Sequence, residues 1–274
     1  MDLRVINFPD KKFKEYLVSN FDKDGDAEIS LNEALTIKSV DCKNRGLVSL
    51  AGIEFFENLT HIDCSYNDIK EINLNQNTNL TYVNCVQNIH LTNLIINNCP
   101  LLKTIYCGNT RLSKLDVSNN NLLEILSCRF TPLDELNIIN NPKLIRLNVR
   151  SCELYDIDLS CNEFLEFIDC RENNLSVLNL IWNKKLSYLD CWSNKYLGKV
   201  IIDEGYTIER VISSITPLTS REIKDENYRE YCDEKENDTY NEYNGTYAQD
   251  VMGFSDQTIS DAFEGDPDAC WNVD

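Results

Sequence analysis

The chain has 274 residues and a formal net charge of −19. No basic segment offsets this charge, which argues against a protein that binds nucleic-acid phosphates or docks on an anionic membrane. No run of about 20 apolar residues is present, so the sequence predicts no membrane-spanning helix.

The start of the chain is polar and lacks the apolar core of a signal peptide. The sequence also holds 12 cysteines, most of them at regular intervals. A disulfide framework would not follow such a period, so we expect reduced thiols and a cytoplasmic protein. The alternative is an exported protein whose signal peptide has been removed.

The first predicted element is a short amphipathic helix over residues 9–20. Pro9 suits the first helical position, where a backbone N–H is not needed. Apolar residues recur along the segment at spacings of three and four, which places them on one helix face. They are Phe13, Tyr16, Leu17 and Phe21.

Residues 22–33 resemble the twelve-residue calcium loop of an EF-hand, because their oxygen-bearing residues match its six ligand positions. The resemblance implies a calcium ion held by the carboxylates of Asp22, Asp24, Asp26 and Glu33, by the backbone carbonyl of Glu28 and, through a water, by Ser30. The loop departs from the EF-hand pattern at its sixth position, where Ala27 replaces glycine. That position needs a positive φ, which a Cβ atom resists.

The alternative interpretation of this segment is purely structural. Ser30 and Glu33 form the S-x-x-E pattern of a capping box, which would begin a helix over residues 31–37. Under either interpretation, residues 1–36 form an EF-hand-like helical cap. Such a cap would cover the apolar edge of the first repeat, which would otherwise meet water.

A repeat of 21 residues, occasionally 22, occupies residues 37–203. Each unit holds two copies of the pattern L-x-x-L-x-L-x-x-N, here called its first half and its second half. A fixed period of this length is typical of a solenoid. Alternate residues of an L-x-L segment face one way, so we predict short strands that stack in parallel. The central inward column of the first halves is Ile62, Val83, Ile105, Leu126, Leu147, Ile168 and Leu189.

Two further columns are small or polar. One first-half column comprises Cys42, Cys64, Cys85, Cys107, Cys128, Cys170 and Cys191, with Val149 in the same register. We expect these cysteines to be buried thiols that act as small apolar groups. The second halves close with Asn77, Asn120, Asn141, Asn162 and Asn183. An inward asparagine can both donate to and accept from the buried backbone of a turn. Cys99 and Cys152 stand at asparagine positions as small polar substitutes.

These units resemble those of bacterial leucine-rich repeat proteins of the short-repeat type, which read LxxLxCxxNxLxxLxLxxNxx. The resemblance covers about residues 37–202. It implies an α/β-type repeat solenoid, a stack of parallel strands with a role in recognition, and it names no partner. The small helical N-terminal cap and an acidic C-terminal extension complete the predicted fold.

Strand alternation places three outward columns on one face of the stack. One of these columns carries Arg129, Arg150 and Arg171 on consecutive units, unlike the rest of this acidic chain. Arginine and aromatic residues are enriched at protein interfaces and their hot spots. The predicted binding face comprises Tyr82, Tyr106, Arg129, Arg146, Arg150, Phe167, Arg171, Tyr188 and Trp192.

The sequence therefore predicts a non-catalytic module that binds a protein or peptide, acidic rather than basic. The structural alternative is that the arginines pair with Asp169 and Asp190 and only solvate the sheet. A surface adhesin is a further alternative if an export signal is missing. A more remote alternative is a hydrolase that uses Asp169 and Asp190, one turn apart, as paired carboxylates.

The C-terminal part of the sequence changes character. Residues 204–246 are poor in apolar residues and largely acidic, which is typical of a flexible linker. Residues 247–274 resemble a short acidic C-terminal module of bacterial and phage proteins of unknown function. One hypothesis is that the acidic segment 225–242, tethered to the solenoid, folds back over the arginine column.

Overall fold

The computed structural model describes residues 4–203, 207–208 and 210–212. The predicted C-terminal module lies outside these residues. So do the predicted linker from residue 213 onward and the acidic segment of the fold-back hypothesis. The described chain begins with two helices and continues as a stack of short parallel strands.

Helix α1 spans Lys11–Phe21. Its N-cap is Asp10, whose Oδ1 accepts hydrogen bonds from Lys12 N at 2.9 Å and Phe13 N at 3.2 Å. A side-chain acceptor at the N-cap satisfies N–H groups that have no partner inside the helix. The helix therefore begins after Asp10 and not at the predicted Pro9.

Helix α2 spans Leu31–Ala34. The predicted capping box is present, because Ser30 Oγ accepts from Glu33 N at 3.3 Å and Glu33 Oε2 accepts from Ser30 N at 2.8 Å. The helix is shorter than the predicted 31–37. Thr36 N and Thr36 Oγ1 both donate to Glu33 O at 2.8 Å, and this tighter turn ends the helix early.

Thirteen strands of three residues follow in the described chain, with a 3-10 turn at Ile53–Phe55 after the first. The strands are β1 Ser39–Asp41, β2 His61–Asp63, β3 Glu71–Asn73, β4 Tyr82–Asn84, β5 Asn93–Ile95, β6 Thr104–Tyr106, β7 Ile125–Ser127, β8 Arg146–Asn148, β9 Phe167–Asp169, β10 Val177–Asn179, β11 Tyr188–Asp190, β12 Lys199–Ile201 and β13 Arg210–Ile212.

Nine of these strands form one parallel sheet in the order β1-β2-β4-β6-β7-β8-β9-β11-β13. Residues of one predicted column are partners in register, as Leu147 and Ile168 show on β8 and β9. Every residue of the central inward column is fully buried. The predicted parallel stack is confirmed.

The sheet continues past the predicted end of the solenoid at residue 203. Ile208 and Val211 repeat the L-x-x-L spacing and are buried, and β13 pairs with β11. The polar residue Asp203 marks the end of the full repeat in the sequence, but the apolar spacing of one more first half resumes behind it.

Within the described residues, second halves pair as strands at two places, β3 with β5 and β10 with β12. Their register joins Glu71 to Asn93 and Val177 to Lys199, a spacing of 22 residues. The second halves between them are 21 residues apart and form no strand pair. Strand pairing on this side of the solenoid therefore accompanies the longer unit.

The cysteine column is fully buried, as predicted. The ten described cysteines are all free thiols. Cys64 Sγ donates to Asn84 O at 3.4 Å and Cys85 Sγ donates to Tyr106 O at 3.5 Å, so each thiol reaches the next turn. Burial raises the pKa of the Cys64 thiol well above its ordinary value, which keeps it protonated. These cysteines serve as packing groups.

The asparagines that close the first halves, for which no role was predicted, both donate and accept hydrogen bonds. Asn173 Nδ2 donates to Val149 O at 2.7 Å, and its Oδ1 accepts from Cys152 N at 3.1 Å and Leu154 N at 3.0 Å. Cys152 substitutes for asparagine in the unit before, where its Sγ donates to Cys128 O at 3.0 Å.

The second-half asparagines fulfil only the donor part of their predicted role. Asn141 Nδ2 donates to Val117 O at 2.9 Å and Asn120 O at 3.0 Å. Its Oδ1 is buried without a hydrogen-bond partner, and the other four members of the column share this feature. The nearby N–H of Leu144 bonds to Asn141 O instead, so it is not available to the side chain.

Candidate functional site

The outward side of the nine-stranded sheet carries all nine residues of the predicted binding face. We call this surface the sheet face; it consists of the first and third residues of each strand and the residue two positions beyond the strand. Parallel strands lie roughly 4.8 Å apart, so like residues of consecutive turns come into contact. The structure gathers the arginines in the later turns, beside the aromatic residues of β9 and β11.

Arg146, Phe167 and Tyr188 form a continuous stack across β8, β9 and β11. The Phe167 and Tyr188 rings are 6° from parallel with centroids 4.6 Å apart. The Arg146 guanidinium lies 4.9 Å from the Phe167 centroid, an arrangement that favours the cation. Phe167 and Tyr188 are buried, with 6% and 7% of their surface exposed.

A second aromatic group lies in the earlier turns. Tyr82 stacks on His61 with centroids 5.8 Å apart and meets the Tyr106 ring edge-on at 5.9 Å. Tyr106 is also buried, whereas Trp192 is 42% exposed. Because the spacing of the turns suits ring stacking, most predicted aromatic residues pack along the columns. Trp192 is the member of the set that is displayed to solvent.

Neighbouring carboxylates and a ring hold two members of the arginine column, Arg150 and Arg171. Arg150 Nη2 lies 2.8 Å from Glu172 Oε1, and the Arg150 guanidinium lies 4.8 Å from the Phe130 centroid. Sequence analysis missed Glu172 and Phe130. Both occupy a positive-φ position, with φ of 56°, in the turn that follows a strand of the sheet. The residue types carry no signal of that backbone conformation.

Arg171 lies between two carboxylates. Its Nη2 is 3.2 Å from Asp169 Oδ2 and its Nη1 is 3.4 Å from Asp190 Oδ2. Asp169 and Asp190 are register partners on β9 and β11 and are almost fully buried. Burial, with the neighbouring charge of Asp169, raises the pKa of Asp190 to about 6. Burial also raises the pKa of Asp169, although Arg171 opposes this shift.

The two carboxylates do not form the open pair that a hydrolase would use. Asp169 Oδ1 accepts from Arg171 N at 3.3 Å and Asp190 Oδ1 accepts from Trp192 N at 3.1 Å, in addition to the ion pairs with Arg171. A cavity of about 430 Å³ lies elsewhere, lined by Ser49–Leu50 and part of β3. The geometry gives the hydrolase alternative no support.

Where the third residue of a strand is Asp or Asn, it has a structural role that sequence analysis missed. Its side-chain oxygen accepts the N–H two residues further on, as Asp63 does from Ser65 at 2.9 Å and Asn148 from Arg150 at 3.1 Å. Such a bond turns the chain at the end of the strand. The available signal was the recurrence of Asp or Asn at one position of the unit, in Asp41, Asp63, Asn84, Asn148, Asp169 and Asp190.

The calcium-type loop of the cap brings together three of its four predicted side-chain carboxylate ligands. Carboxylate oxygens of Asp22, Asp24 and Glu33 lie within 4.8 Å of one another. Ala27 adopts a φ of 65°, the positive value that the EF-hand pattern needs at this position. An all-oxygen donor set of this kind suits calcium.

The fourth predicted carboxylate ligand, Asp26, is not part of that group. Asp26 Oδ1 accepts from Glu28 N at 2.8 Å, and Ser30 Oγ donates to Glu33 Oε2 at 2.8 Å. Burial disfavours the ionised form of Glu33, but hydrogen bonds from Lys23 N and Ser30 outweigh it and lower its pKa. The capping box and the ligand group therefore share Glu33.

Comparisons with known proteins identify leucine-rich repeat relatives. No protein-family model matches the chain. Internalin J of Listeria monocytogenes serotype 4b (strain F2365) is 35% identical over 71 residues, which are 26% of this chain and 8% of that protein. The functional domain of InlJ from Listeria monocytogenes, described as including a cysteine ladder, matches with a TM-score of 0.60 and 28% identity.

That match covers 81% of this chain and 55% of the InlJ domain. InlP of Listeria monocytogenes has a TM-score of 0.52 at 20% identity, over 74% of this chain and 62% of InlP, and shows the fold alone. The chain thus spans about half of the InlJ structure and a small part of the curated relative. The predicted resemblance to bacterial leucine-rich repeat proteins is confirmed, with solenoid turns of about 21 residues. In the part of the chain that the structure describes, no helix is long and apolar enough to cross a membrane.

Proposed function

We propose that this chain is a non-catalytic binding module whose sheet face recognises a protein or peptide. The observation that carries the proposal is the gathering of four arginines and the exposed Trp192 on one face of a chain with a net charge of −19. Similarity to the internalin solenoids supports a protein-binding or adhesin-type repeat module.

The charge of the later turns favours an acidic partner. Four arginines of the sheet face, Arg129, Arg146, Arg150 and Arg171, accompany three carboxylates, Asp169, Glu172 and Asp190. The difference, four minus three, gives these seven groups one net positive charge when all are ionised; Glu166, whose charge also acts on Arg146, is not among them. Complementary charge steers encounter and selects partners more than it adds affinity.

Two tryptophans provide a matched test of the proposed face. Trp192 lies on the sheet face and is 42% exposed, whereas Trp182 lies in a second half and is 58% exposed. Peptides selected on the wild-type protein from a displayed random library should be acidic. Trp192→Ala should weaken their binding about tenfold or more, as interface tryptophans do. Trp182→Ala should leave the dissociation constant unchanged.

Titration calorimetry of the selected peptides with both variants is the measurement. Selected peptides without acidic character would contradict the charge argument. Equal affinity of wild type and Trp192→Ala, or a loss confined to Trp182→Ala, would place binding away from the sheet face.

We also propose that the module is exported. The similarity to the internalins fits the exported alternative, including an adhesin role, better than the cytoplasmic expectation drawn from the sequence. Fractionation of the native cell with an antibody against the solenoid tests this location. Recovery of the protein in the cytosolic fraction alone would contradict it.

A second proposal concerns calcium in the cap. Asp22, Asp24 and Glu33 would hold the ion, because their oxygens already converge and Ala27 has the required φ. A ligand that binds only the folded state raises the melting temperature. Millimolar calcium should therefore raise the melting temperature of the wild type and not that of Glu33→Gln.

Glutamine can still serve in a capping box, so the variant separates the two roles of Glu33. Glu15→Gln is the matched control, because Glu15 is an exposed glutamate of helix α1 outside the calcium-type loop, and this variant should keep the thermal shift. The absence of both binding heat and a thermal shift in the wild type would leave only the capping role.

A further inference from the structure

The later turns of the sheet face contain a buried charge cluster with more carboxylates than cations. Asp169 and Asp190 are 3% and 1% exposed. Both bind the single guanidinium of Arg171, at 3.2 Å and 3.4 Å. Because the two aspartates are register partners on neighbouring parallel strands, their carboxylates are held close together.

The other charged groups that face this pair do not balance it. In the described part of the chain, the charge of Arg150 also acts on Asp190, but Arg150 binds Glu172 at 2.8 Å. The cluster then holds two guanidinium groups and three carboxylates, so its formal charge is two minus three, or −1. An uncompensated charge in a buried site is costly. Two carboxylates that share a site resist ionising together.

We infer that Asp169, Arg171 and Asp190 form a proton-binding site, in which the two carboxylates share one arginine and take up one proton between neutral and mildly acidic pH. The raised pKa of Asp190, about 6, agrees with this geometry. Groups coupled this strongly titrate as a pair, so the proton belongs to the pair and not to one residue.

The proton site would regulate the sheet face. This consequence rests on the proposed function, because it needs the face to bind a partner. Uptake of one proton changes the net charge of the four arginines and three carboxylates from +1 to +2. The affinity for an acidic partner should therefore rise as the pH falls from 7.5 to 5.5, and the increase should shrink at high salt.

Carbon NMR of the aspartate carboxyl groups in the full-length protein tests the site without any partner. Between pH 4 and 8, the Asp169 and Asp190 resonances should report one proton taken up with a midpoint near pH 6. In Asp190→Asn, Arg171 faces a single carboxylate, so Asp169 should titrate at lower pH. Asp158→Asn is the control, because Asp158 is an exposed aspartate that accepts from Ser160 N at 2.9 Å. This variant should keep the midpoint near 6.

The inference is overturned if both carboxyl groups of the wild type titrate below pH 5, a result that does not depend on any variant folding. It is also overturned if the midpoint near 6 persists in Asp190→Asn.

A poly-aspartate peptide serves as the acidic probe for binding at pH 5.5 and 7.5. We expect the wild type to bind this peptide more tightly at pH 5.5 than at pH 7.5. We expect Asp190→Asn to bind it equally at both pH values. A probe that binds at neither pH contradicts the proposed acidic partner and leaves the titration result standing.

Discussion

At the scale of single residues, each turn of the solenoid holds a side-chain-bearing residue in the left-handed backbone conformation at one recurring position, and Glu153 adds a second such residue in one turn. The φ values at the recurring position run from 52° to 59°, at Asn44, Tyr66, Gln87, Asn109, Phe130, Ser151, Glu172 and Ser193. This conformation costs an L-residue roughly 1–2 kcal/mol. It also directs an N–H to the next turn, as from Gln87 N to Gly108 O at 3.0 Å. The hydrogen bond between turns offsets part of the strain.

Gln87→Gly should therefore stabilise the protein by about 0.5–1 kcal/mol, since glycine adopts this φ without a Cβ penalty. Gln76→Gly is the matched control, because Gln76 is an exposed glutamine outside the set of positive-φ residues. There the greater freedom of glycine in the unfolded chain should lower stability. Urea-unfolding midpoints of the three proteins give the comparison, and a lower midpoint for Gln87→Gly than for the wild type would contradict the strain argument.

The inward column offers a second test at this scale. Leu147 is fully buried on β8, between the turns of Leu126 and Ile168. Leu147→Ala should lower the free energy of unfolding by about 2–5 kcal/mol, because a cavity remains in a narrow core. Tyr155→Ala, at a residue that is 70% exposed, should change it little. Equal losses in chemical denaturation would contradict the assignment of these columns.

At the scale of elements, one carboxylate joins the cap to the first repeat. Asp10 Oδ1 caps helix α1, and Asp10 Oδ2 accepts from Val48 N at 2.7 Å and Ser49 N at 3.1 Å. Four backbone donors thus depend on one side chain. The cap is held to the repeat by this bond network as well as by apolar packing.

Asp10→Ala should cost more than the loss of an ordinary N-cap, which is about 1 kcal/mol. Because it also leaves two N–H groups of the first repeat without their acceptor, we expect about 2–4 kcal/mol. Ser30→Ala is the comparison, since Ser30 caps helix α2 within the cap itself. Amide hydrogen exchange at Val48 and Ser49 should accelerate in Asp10→Ala and not in Ser30→Ala. Unchanged exchange at these two amides would contradict the role of Asp10 in holding the cap to the repeat.

At the scale of the whole molecule, burial of carboxylates on the sheet face links stability to pH. Burial raises the pKa values of Asp63, Asp169 and Asp190 above their ordinary range. For these groups the folded state binds protons more tightly than the unfolded chain, so stability grows as pH falls through the raised pKa. Glu33 and Glu172 have lowered pKa values, so their ionised forms stabilise the folded state. This stabilisation is lost only as the pH falls below about 4.5, the ordinary range of a glutamate.

We therefore expect the free energy of unfolding to rise by about 1–3 kcal/mol from pH 7.5 to pH 5 and to fall again below about pH 4. Protonation also reduces the repulsion within a chain of charge −19, and this raises the free energy of unfolding further between pH 7.5 and pH 5. Denaturant titrations at pH 7.5, 5 and 3.5 measure this profile. Asp190→Asn should flatten the rise between pH 7.5 and 5. A steady decline from pH 7.5 to 5 in the wild type would contradict the burial argument.

The period of the sequence determined the architecture of the solenoid. A parallel stack repeats one set of contacts in every turn, so columns such as Leu147 with Ile168, and Cys64 with Cys85, follow from counting residues. The direction of each column follows as well, because side chains alternate across a strand. The capping box at Ser30 and Glu33 was equally visible, since it depends on residues three apart.

Only the tertiary structure decided which outward residues remain accessible and how their charges combine. Phe167 and Tyr188 are covered by stacking, Trp192 is not, and Arg171 is shared by two aspartates from neighbouring turns. These outcomes depend on distances across turns and on positive φ values, which residue types do not encode. The residue types of the outward columns identified the sheet face as basic and aromatic, but packing between turns determined which of its groups can meet a partner.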